Sequence, residues 1–504
     1  MAEQAQKAII IGSGIAGLAS AVRLRNLGYQ VTVLEAWEVP GGKVGEWRSE
    51  GFRFDMGPSL FTLPGLLDEL FHQSEKNPAD YYDYSQLEVI CRYFWNDGTE
   101  LDAFADPEKL AVEFEEKLGE PAENIREHLQ KAKEIYELTN PVFLEGSLHD
   151  WNTYKKAASW KVLTGMGVLD PFRTLHKANK RRFQNPKSVQ LFDRYATYNG
   201  SNPYKAPATL NVISHLEHDM GAWLLRGGMR ALVNALYQLG QDLGVEYRFG
   251  AKVDSIETSG DGRQVTGVKS GRGFWPADVV VSGADVVPTY RKLLPRAKQP
   301  ERTLNRPKST SALIFYWGVE GTYPDLDVHN ILFAEDYPAE FRALTETGSP
   351  YQDPTIYIYI SSKHESADAP DGCENWFVMI NVPHDSGQDW IDFRQKARAA
   401  ILAKIERQLG ASISDRIRTE FVLDPPGIES KTSSHRGALY GNSSDDPLAA
   451  FLRHPNFSRR IRGLYFAGGS VHPGGGIPLC LQGARIVGDL VERREVSPIS
   501  ARRV

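Results

Sequence analysis

A glycine-rich turn between two apolar segments at the start of the chain most constrains its fold. Residues 8–11 form an apolar, β-branched run that predicts a buried strand. Three glycines follow in the spacing G-x-G-x-x-G: Gly12, Gly14 and Gly17. In such a turn the first glycine permits a tight bend, the second lets the backbone approach a diphosphate, and the third lets the helix pack closely on the strand. With a second strand at residues 31–34, the segment predicts a βαβ nucleotide-binding unit.

An acidic residue closes the second strand of this unit. Glu35 stands about 20 residues after the glycines, where a carboxylate accepts hydrogen bonds from a ribose. The first helical turn, at Ile15 and Ala16, offers N–H groups to an anion. A carboxylate at the strand end disfavours a 2′-phosphate, which would pair with arginine. The unit therefore predicts NAD or FAD.

A second glycine motif favours FAD. Gly41 and Gly42 precede Lys43, and Gly57-Pro58 lies beyond them. This arrangement resembles the glycine-pair extension of the FAD-dependent amine oxidase and carotenoid desaturase superfamily, which continues from the adenosine site toward the flavin. The superfamily commonly has arginine where this chain has Lys43, which keeps the charge but loses the bidentate fork. The resemblance implies that Lys43 faces the diphosphate.

Size and composition exclude several classes of protein. The 504 residues suffice for two substantial domains, and 58 Lys and Arg against 64 Asp and Glu leave no basic excess for nucleic acid. The cysteines are three and widely spaced, which disfavours a disulfide framework, and we expect no metal site. We identify neither a signal peptide nor an apolar run approaching the roughly 18 residues of a spanning helix. We expect a cytoplasmic protein, peripheral to the inner face of the cell membrane.

The middle of the chain begins with helices and a hairpin. Residues 64–71 have helical spacing, and residues 88–95 and 101–104 flank an Asp-Gly turn that predicts a β-hairpin. Residues 107–118 and 121–138 predict two further helices.

An apolar segment, residues 151–172, precedes a cluster of basic residues: Lys177, Lys180, Arg181, Arg182 and Lys187. Apolar aromatic surface beside basic residues is typical of an interfacial membrane contact. An ordinary helical hairpin with a solvated face fits the same residues equally well.

Residues 310–421 change to a pattern of strands. The strands are predicted over residues 312–319, 330–333, 355–361 and 376–382. In the third, Tyr357 and Tyr359 alternate with isoleucines, as in an antiparallel sheet covered on one face. Such a sheet can form one wall of a long apolar pocket, and an ordinary two-layer core would use the same residues. A helix predicted over residues 390–409 closes this segment.

The last segment carries another glycine-rich turn. Residues 464–467 predict a strand that leads into Gly468-Gly469-Ser470 and then His472-Pro473-Gly474-Gly475-Gly476-Ile477. A helix predicted over residues 481–491 follows, and its start can direct N–H groups toward a phosphate or a pyrimidine carbonyl.

Three separated blocks share one resemblance. The N-terminal glycine motifs, the block from Asn202-Pro203 to Met229, and residues 466–478 are together similar to the bacterial-type phytoene desaturase family of FAD-dependent carotenoid dehydrogenases. The resemblance covers nearly the whole chain, and the C-terminal block differs from the form usual in amine oxidases. Within the family, residues 54–64 and 468–470 look most like desaturases that act at the 3,4 or 3′,4′ bond of a carotenoid end group.

The resemblance implies a fold and a domain arrangement. The fold is α/β, with a Rossmann-type FAD-binding domain of the amine-oxidase kind and an interleaved α+β substrate domain that contains an antiparallel sheet and a helical insert. We expect residues 1–72, 222–300 and 425–504 to form the FAD-binding domain. Residues 73–221 and 301–424 are expected to form the substrate- and membrane-facing domain.

The resemblance also implies non-covalent FAD as hydride acceptor, with a proton lost from the adjacent carbon of the substrate. The residues expected to contact the cofactor are Gly12, Gly14, Ile15, Ala16, Gly17, Glu35, Ala36, Gly41, Gly42, Lys43, Gly57, Pro58, Val253, Gly468, Gly469, Gly476 and Ile477.

Three residues are candidates for catalytic acid–base work. His472 lies in the C-terminal flavin motif, and His215 and Glu217 precede Gly221 in a segment that resembles the substrate-proximal region of the family. His472 would look the same in the sequence if it were only a structural histidine in the turn beside Pro473. His215 and Glu217 would look the same if they were buried polar groups with partners in the core. A strong base is dispensable if the positive charge spreads over the polyene.

The sequence thus predicts a desaturase that introduces a double bond at the 3,4 position of an acyclic or monocyclic carotenoid. The alternatives are a phytoene desaturase, a carotene isomerase, another flavoenzyme of the amine-oxidase kind, and an isoprenoid-binding protein without redox chemistry. The electron acceptor is expected to be oxygen or a membrane quinone.

Overall fold

Nineteen strands and sixteen α-helices, joined by short 3₁₀ and π turns, make up the part of the chain that the computed structural model describes, which is residues 5–154, 165–446, 449 and 453–495. The strands are β1 (Lys7–Ile11), β2 (Gln30–Leu34), β3 (Gly45–Ser49), β4 (Phe52–Met56), β5 (Tyr84–Gln86), β6 (Val89–Phe94), β7 (Glu100–Phe104), β8 (Trp223–Leu225), β9 (Glu246–Arg248), β10 (Val253–Thr258), β11 (Val265–Ser270), β12 (Gly273–Pro276), β13 (Val279–Ser282), β14 (Ser311–Glu320), β15 (His329–Leu332), β16 (Ile356–Ile360), β17 (Cys373–Val382), β18 (Ile417–Leu423) and β19 (Leu464–Phe466). The helices are α1 (Ile15–Asn26), α2 (Gly65–Gln73), α3 (Pro107–Leu118), α4 (Ala122–Thr139), α5 (Trp151–Tyr154), α6 (Met166–Leu169), α7 (Leu175–Arg182), α8 (Pro186–Asp193), α9 (Val212–His218), α10 (Met229–Asp242), α11 (Val286–Pro288), α12 (Glu301–Leu304), α13 (Tyr337–Arg342), α14 (Trp390–Leu409), α15 (Pro425–Thr432) and α16 (Ile477–Glu495).

A five-stranded parallel sheet holds the predicted nucleotide-binding unit. Its strand order is β19-β13-β1-β2-β9, and β1 pairs in parallel with both β2 and β13. One face is covered by α1 and α16, and the other by β10, β11 and β12, which form a three-stranded antiparallel sheet. The predicted Rossmann-type architecture is therefore confirmed, and the carboxyl ends of β1, β2 and β19 meet at one edge.

A second, seven-stranded sheet has the order β18-β14-β17-β16-β15-β6-β7. All its strand pairs are antiparallel except β15 with β6. The predicted hairpin of β6 and β7 thus joins the strands predicted after residue 310. Segments from residues 73–221 and 301–424 share this sheet, and the domain limits themselves stay a prediction.

The prediction that the seven-stranded sheet is covered on one face only is wrong. Ile356, Ile358 and Ile360 of β16 pack against α14, while Tyr359 packs with Phe52 and Phe54 of β4. Hydrophobic clusters therefore lie on both faces, because the two-stranded sheet of β3 and β4 packs on the face opposite α14.

The helical insert includes α3 to α9. The predicted apolar segment, residues 151–172, is only partly described, since residues 155–164 lie outside the described residues. No helix in the described ranges has both the length and the apolar character needed to cross a membrane.

Candidate active site

The turn after β1 has the geometry that the three glycines predict. Gly12 has a positive φ of 91°, and a Cβ at Gly17 would overlap with the carbonyl oxygen of Gly12. Gly14 is the N-cap residue of α1, and no side chain caps this helix start in the described structure. Because Ile15 and Ala16 border a large cavity, the first N–H groups of α1 suit an anion there.

Glu35 is held in place by the same turn. One carboxylate oxygen, Oε2, accepts hydrogen bonds from the N–H and the hydroxyl of Ser13, both at 2.7 Å, and Oε1 accepts one from the N–H of Trp37 at 3.0 Å. A carboxylate has about four acceptor positions, so capacity remains for one further donor. Glu35 also lines the cavity, which fits the expected ribose hydroxyl.

The glycine pair lies directly against the first turn. The N–H of Gly41 donates to the Ser13 carbonyl at 3.0 Å, and a Cβ at Gly42 would come within 3.2 Å of the Gly14 Cα. Lys43 donates from Nζ to the carbonyl of Leu439 at 2.7 Å, and burial lowers the pKa of its ammonium. Its expected contact with a diphosphate stays a prediction.

The C-terminal turn completes this end of the cavity. Gly468 and Gly476 have φ values of 122° and 115°, and α16 begins at Ile477. Ser470 accepts a hydrogen bond from the N–H of Val286 at 2.9 Å, which ties this turn to the start of α11. Arg453, which the sequence did not indicate, donates to the carbonyls of Tyr440 and Gly469 at 2.9 and 3.3 Å.

One continuous cavity of about 970 Å³ brings the predicted cofactor residues together. Every residue of the predicted set borders it except Gly17, which packs behind the turn; the bordering residues are Gly12, Gly14, Ile15, Ala16, Glu35, Ala36, Gly41, Gly42, Lys43, Gly57, Pro58, Val253, Gly468, Gly469, Gly476 and Ile477. The same cavity extends to the seven-stranded sheet, where residues of β14, β16 and β17 border it. Its lining there includes apolar residues such as Ile314, Phe377, Met379 and Leu216.

His472 borders the cavity but its imidazole is held by the backbone. Its Nε2 donates to the carbonyl of Gly146 at 2.9 Å, so the lone pair is on Nδ1. Nδ1 is buried and has no hydrogen-bond partner in the described ranges. Burial lowers the pKa of His472 to about 4, so the ring is neutral at physiological pH.

The two other catalytic candidates differ in position. Glu217 lines the cavity, where its Oε1 accepts from the Tyr198 hydroxyl at 3.0 Å and its Oε2 lies 3.9 Å from Nη2 of Arg194. His215 is instead turned to Asp219, with 2.6 Å between Nδ1 and Oδ2, and does not border the cavity in the described structure.

Comparison with known proteins identifies the family. Residues 15–491 match the model of the flavin-containing amine oxidoreductases. The chain belongs to this family. It is 50% identical to a 1-hydroxycarotenoid 3,4-desaturase of a Flavobacterium species, over 96% of this chain and 99% of that protein. It is 32% identical to a 4,4′-diapolycopene oxygenase of a Methylomonas species, over 96% of this chain and 98% of that protein.

Solved structures of low sequence identity share the fold. Putrescine oxidase bound to putrescine matches with a TM-score of 0.62 at 14% identity, over 98% of this chain and 99% of that one. Family membership makes the chain a flavin-dependent oxidoreductase with FAD as its cofactor. The residues present fit FAD, since the uncapped start of α1, the Gly14–Gly42 contact and the spare acceptor position of Glu35 suit a diphosphate and a ribose.

Proposed function

We propose that this flavoenzyme introduces a carbon–carbon double bond at the 3,4 or 3′,4′ position of an acyclic or monocyclic carotenoid. The observation that carries the proposal is the cavity, which runs without interruption from the FAD-binding turns into a chamber lined by apolar side chains. The 50% identity to a 1-hydroxycarotenoid 3,4-desaturase, over 96% of the chain, supports the same reaction.

The chamber suits an extended hydrocarbon next to a flavin. Residues of β14, β16 and β17 form one wall, and Leu210, Ile213 and Leu216 contribute further apolar surface. These side chains bind the substrate by burial of apolar surface, align it and exclude water. When bound, FAD supplies the hydride acceptor, and the substrate loses a proton from the neighbouring carbon.

Pigment analysis tests the reaction. The chain is co-expressed with enzymes that accumulate either phytoene or a preformed acyclic or monocyclic carotenoid. We expect a loss of two hydrogens and a red-shifted absorption with the preformed carotenoid only. Conversion of phytoene would instead indicate a phytoene desaturase, and a yellow protein inactive on both substrates would contradict desaturation of carotenoids.

We further propose that the protein docks peripherally on a membrane at the mouth of the cavity. Phe172 is 81% exposed and borders the cavity together with Leu169 and Pro171. Directly after it, α7 presents Lys177, Lys180 and Arg181 to solvent. An exposed aromatic residue beside basic side chains favours an interface with anionic lipid, from which a carotenoid can enter the cavity.

Co-sedimentation of the FAD-loaded protein with vesicles that contain phosphatidylglycerol tests docking. We expect Phe172→Asp to lower the bound fraction severalfold. Phe274→Asp is the matched control, because Phe274 is 52% exposed on β12 and does not border the cavity in the described structure. Equal binding of both variants and the wild type would contradict this docking surface. Oxygen or a membrane quinone as acceptor of the flavin electrons stays a prediction.

A further inference from the structure

A chain of polar side chains begins at the flavin end of the apolar chamber. Ser59 follows Gly57-Pro58, and its hydroxyl lies 2.6 Å from the hydroxyl of Tyr357. The Tyr357 hydroxyl in turn lies 2.7 Å from Nδ1 of His329. All three residues border the cavity. Burial lowers the pKa of His329 to about 3, so its imidazole is neutral.

A second polar group borders the same chamber. Arg194, which is buried, donates from Nη2 to the hydroxyl of Tyr93 at 2.6 Å, and its Nη2 is 3.9 Å from Oε2 of Glu217. The other oxygen of Glu217 accepts from Tyr198. A buried charged pair is costly unless its hydrogen bonds are satisfied.

Arg194, Glu217 and His329 each keep one side-chain polar atom without a hydrogen bond among the described residues. Nε of Arg194, Oε2 of Glu217 and Nε2 of His329 are buried and make no hydrogen bond to any residue that the structure describes. The three residues are 7%, 2% and 3% exposed. Buried polar atoms without a hydrogen bond are rare in folded proteins, because leaving them unpaired is destabilising.

We propose that Arg194, Glu217 and His329 form a hydroxyl-binding cluster, which recognises a hydroxyl group on the end of the carotenoid substrate and thereby selects hydroxylated end groups. The inference rests on the proposed function and specifies its substrate class. A hydroxyl is both donor and acceptor, so it can donate to Oε2 of Glu217 and accept from Nε of Arg194. His329 suits the same ligand, because a neutral imidazole offers Nε2 as donor or acceptor according to its tautomer.

The position of the cluster agrees with oxidation close to the end group. The Tyr357 hydroxyl connects His329 of the cluster to Ser59. Ser59 directly follows Gly57-Pro58, which border the cavity and belong to the predicted cofactor residues. A hydroxyl on the first carbon is only a few bonds from the 3,4 bond. Anchoring the hydroxyl would therefore fix which bond lies at the flavin, and Arg194, Glu217 and His329 act as specificity-determining residues.

The test measures binding and turnover separately. Binding of two carotenoids that differ only in an end-group hydroxyl is followed by quenching of tryptophan fluorescence, with FAD-loaded protein in detergent micelles. Turnover of the same pair is followed by the absorption of the product. We expect the wild type to bind and convert the hydroxylated compound at least tenfold better, since hydrogen bonds to charged groups are worth about 1.5–3 kcal/mol.

Two variants and one control decide the assignment. Glu217→Gln retains an acceptor for Tyr198, and His329→Phe retains the stacking on Tyr357 and Tyr359. We expect either variant to reduce the preference to threefold or less, mainly through weaker binding of the hydroxylated compound. Tyr195→Phe is the control: its hydroxyl bonds His218 at 2.8 Å in the same core, and Tyr195 does not border the cavity in the described ranges. If one variant fails to retain FAD, the other decides alone.

Each outcome has one meaning. A wild type without preference, or variants that keep the full preference, would overturn the hydroxyl-binding cluster while leaving carotenoid desaturation intact. Discrimination in binding that is lost in the variants, with no turnover of either carotenoid, would overturn the proposed reaction and retain the cluster. Loss of preference in Tyr195→Phe as well would indicate a general effect of the core and overturn the assignment.

Discussion

Gly17 has no room for a side chain, although it does not border the cavity. A Cβ at this position would overlap with the Gly12 carbonyl oxygen, which belongs to the turn that is predicted to face the diphosphate. The overlap involves backbone, so it can be relieved only by moving α1 or the turn. We therefore expect Gly17→Ala to reduce the FAD content of the purified protein at least tenfold, measured as flavin absorbance relative to protein absorbance.

Gly65→Ala provides the control for this substitution. Gly65 is the first residue of α2, and a Cβ there meets no atom within 4 Å. Its variant is expected to bind FAD like the wild type, since alanine is the better helix former. Full FAD content in Gly17→Ala would contradict the role of close helix–strand packing.

A buried arginine, Arg53, joins the β3–β4 hairpin to the segment between β16 and β17 of the seven-stranded sheet. Arg53 donates to Glu46 at 2.6 Å, to Asp55 at 2.7 Å and to Asp368 at 3.0 Å. Burial on its own lowers the pKa of Arg53, but these carboxylates outweigh it and raise the pKa above the ordinary value. The guanidinium therefore neutralises two carboxylates that are themselves buried, Asp55 and Asp368.

Arg53→Met should destabilise the protein by about 3–5 kcal/mol, because it leaves buried carboxylates without their partner. The measurement is the midpoint of urea unfolding of the FAD-loaded protein. Arg48→Met is the matched control on the same hairpin: the Arg48 side chain is 66% exposed and pairs with Glu46, so its loss should cost about 1 kcal/mol or less. Equal shifts for the two variants would argue against the buried network as the main link.

The first and last residues of a helix were predictable where the sequence has a capping residue at each end, and they were predicted less accurately where it does not. The helix predicted over residues 390–409 has these bounds because Asp389 caps its first N–H groups and Gly410 ends it in a left-handed conformation. The helix predicted over residues 481–491 instead spans Ile477–Glu495. The start at Ile477 was not predicted because Gly476 and Pro478 are residues typical of loops, although proline is well tolerated in the first turn of a helix.

The residues of the candidate site were also predictable only where they follow a local sequence motif. That the glycine motifs and Glu35 border one cavity was predictable, because their grouping depends on local spacing, which the sequence displays directly. Arg194 and His329 were not predicted, since they come from a 3₁₀ turn and from β15 and meet only through the tertiary fold. The alternation of Tyr357 with isoleucines indicated a sheet wall, but not the hydrogen bonds of the Tyr357 hydroxyl.

The stability of the whole molecule depends on pH through histidines that are buried in their neutral form. His128 is 4% exposed, packs with its ring tilted against Phe183 and Phe192, and has Nε2 at 3.0 Å from the Ser214 hydroxyl. Burial, reinforced by Arg182 and His218, lowers its pKa to about 3. Between that value and the ordinary pKa of about 6.5, the unfolded chain binds a proton that the folded chain does not. The contribution of His128 to stability is therefore lost progressively as pH falls below about 6.5.

His128→Phe removes this proton linkage and keeps an aromatic ring in the core. From about pH 7.5 to about pH 5, the wild type should lose about 2 kcal/mol in free energy of unfolding relative to His128→Phe, since each pH unit below the unfolded pKa costs about 1.4 kcal/mol. Urea unfolding of both proteins at each pH measures this difference, whatever the other titrating groups contribute. His72→Phe, at an exposed position in α2, controls for the loss of a histidine. If the difference in free energy of unfolding between wild type and His128→Phe did not change with pH, His128 would take up its proton in the folded state as readily as in the unfolded chain. That result would contradict a buried, neutral imidazole between α4 and α9.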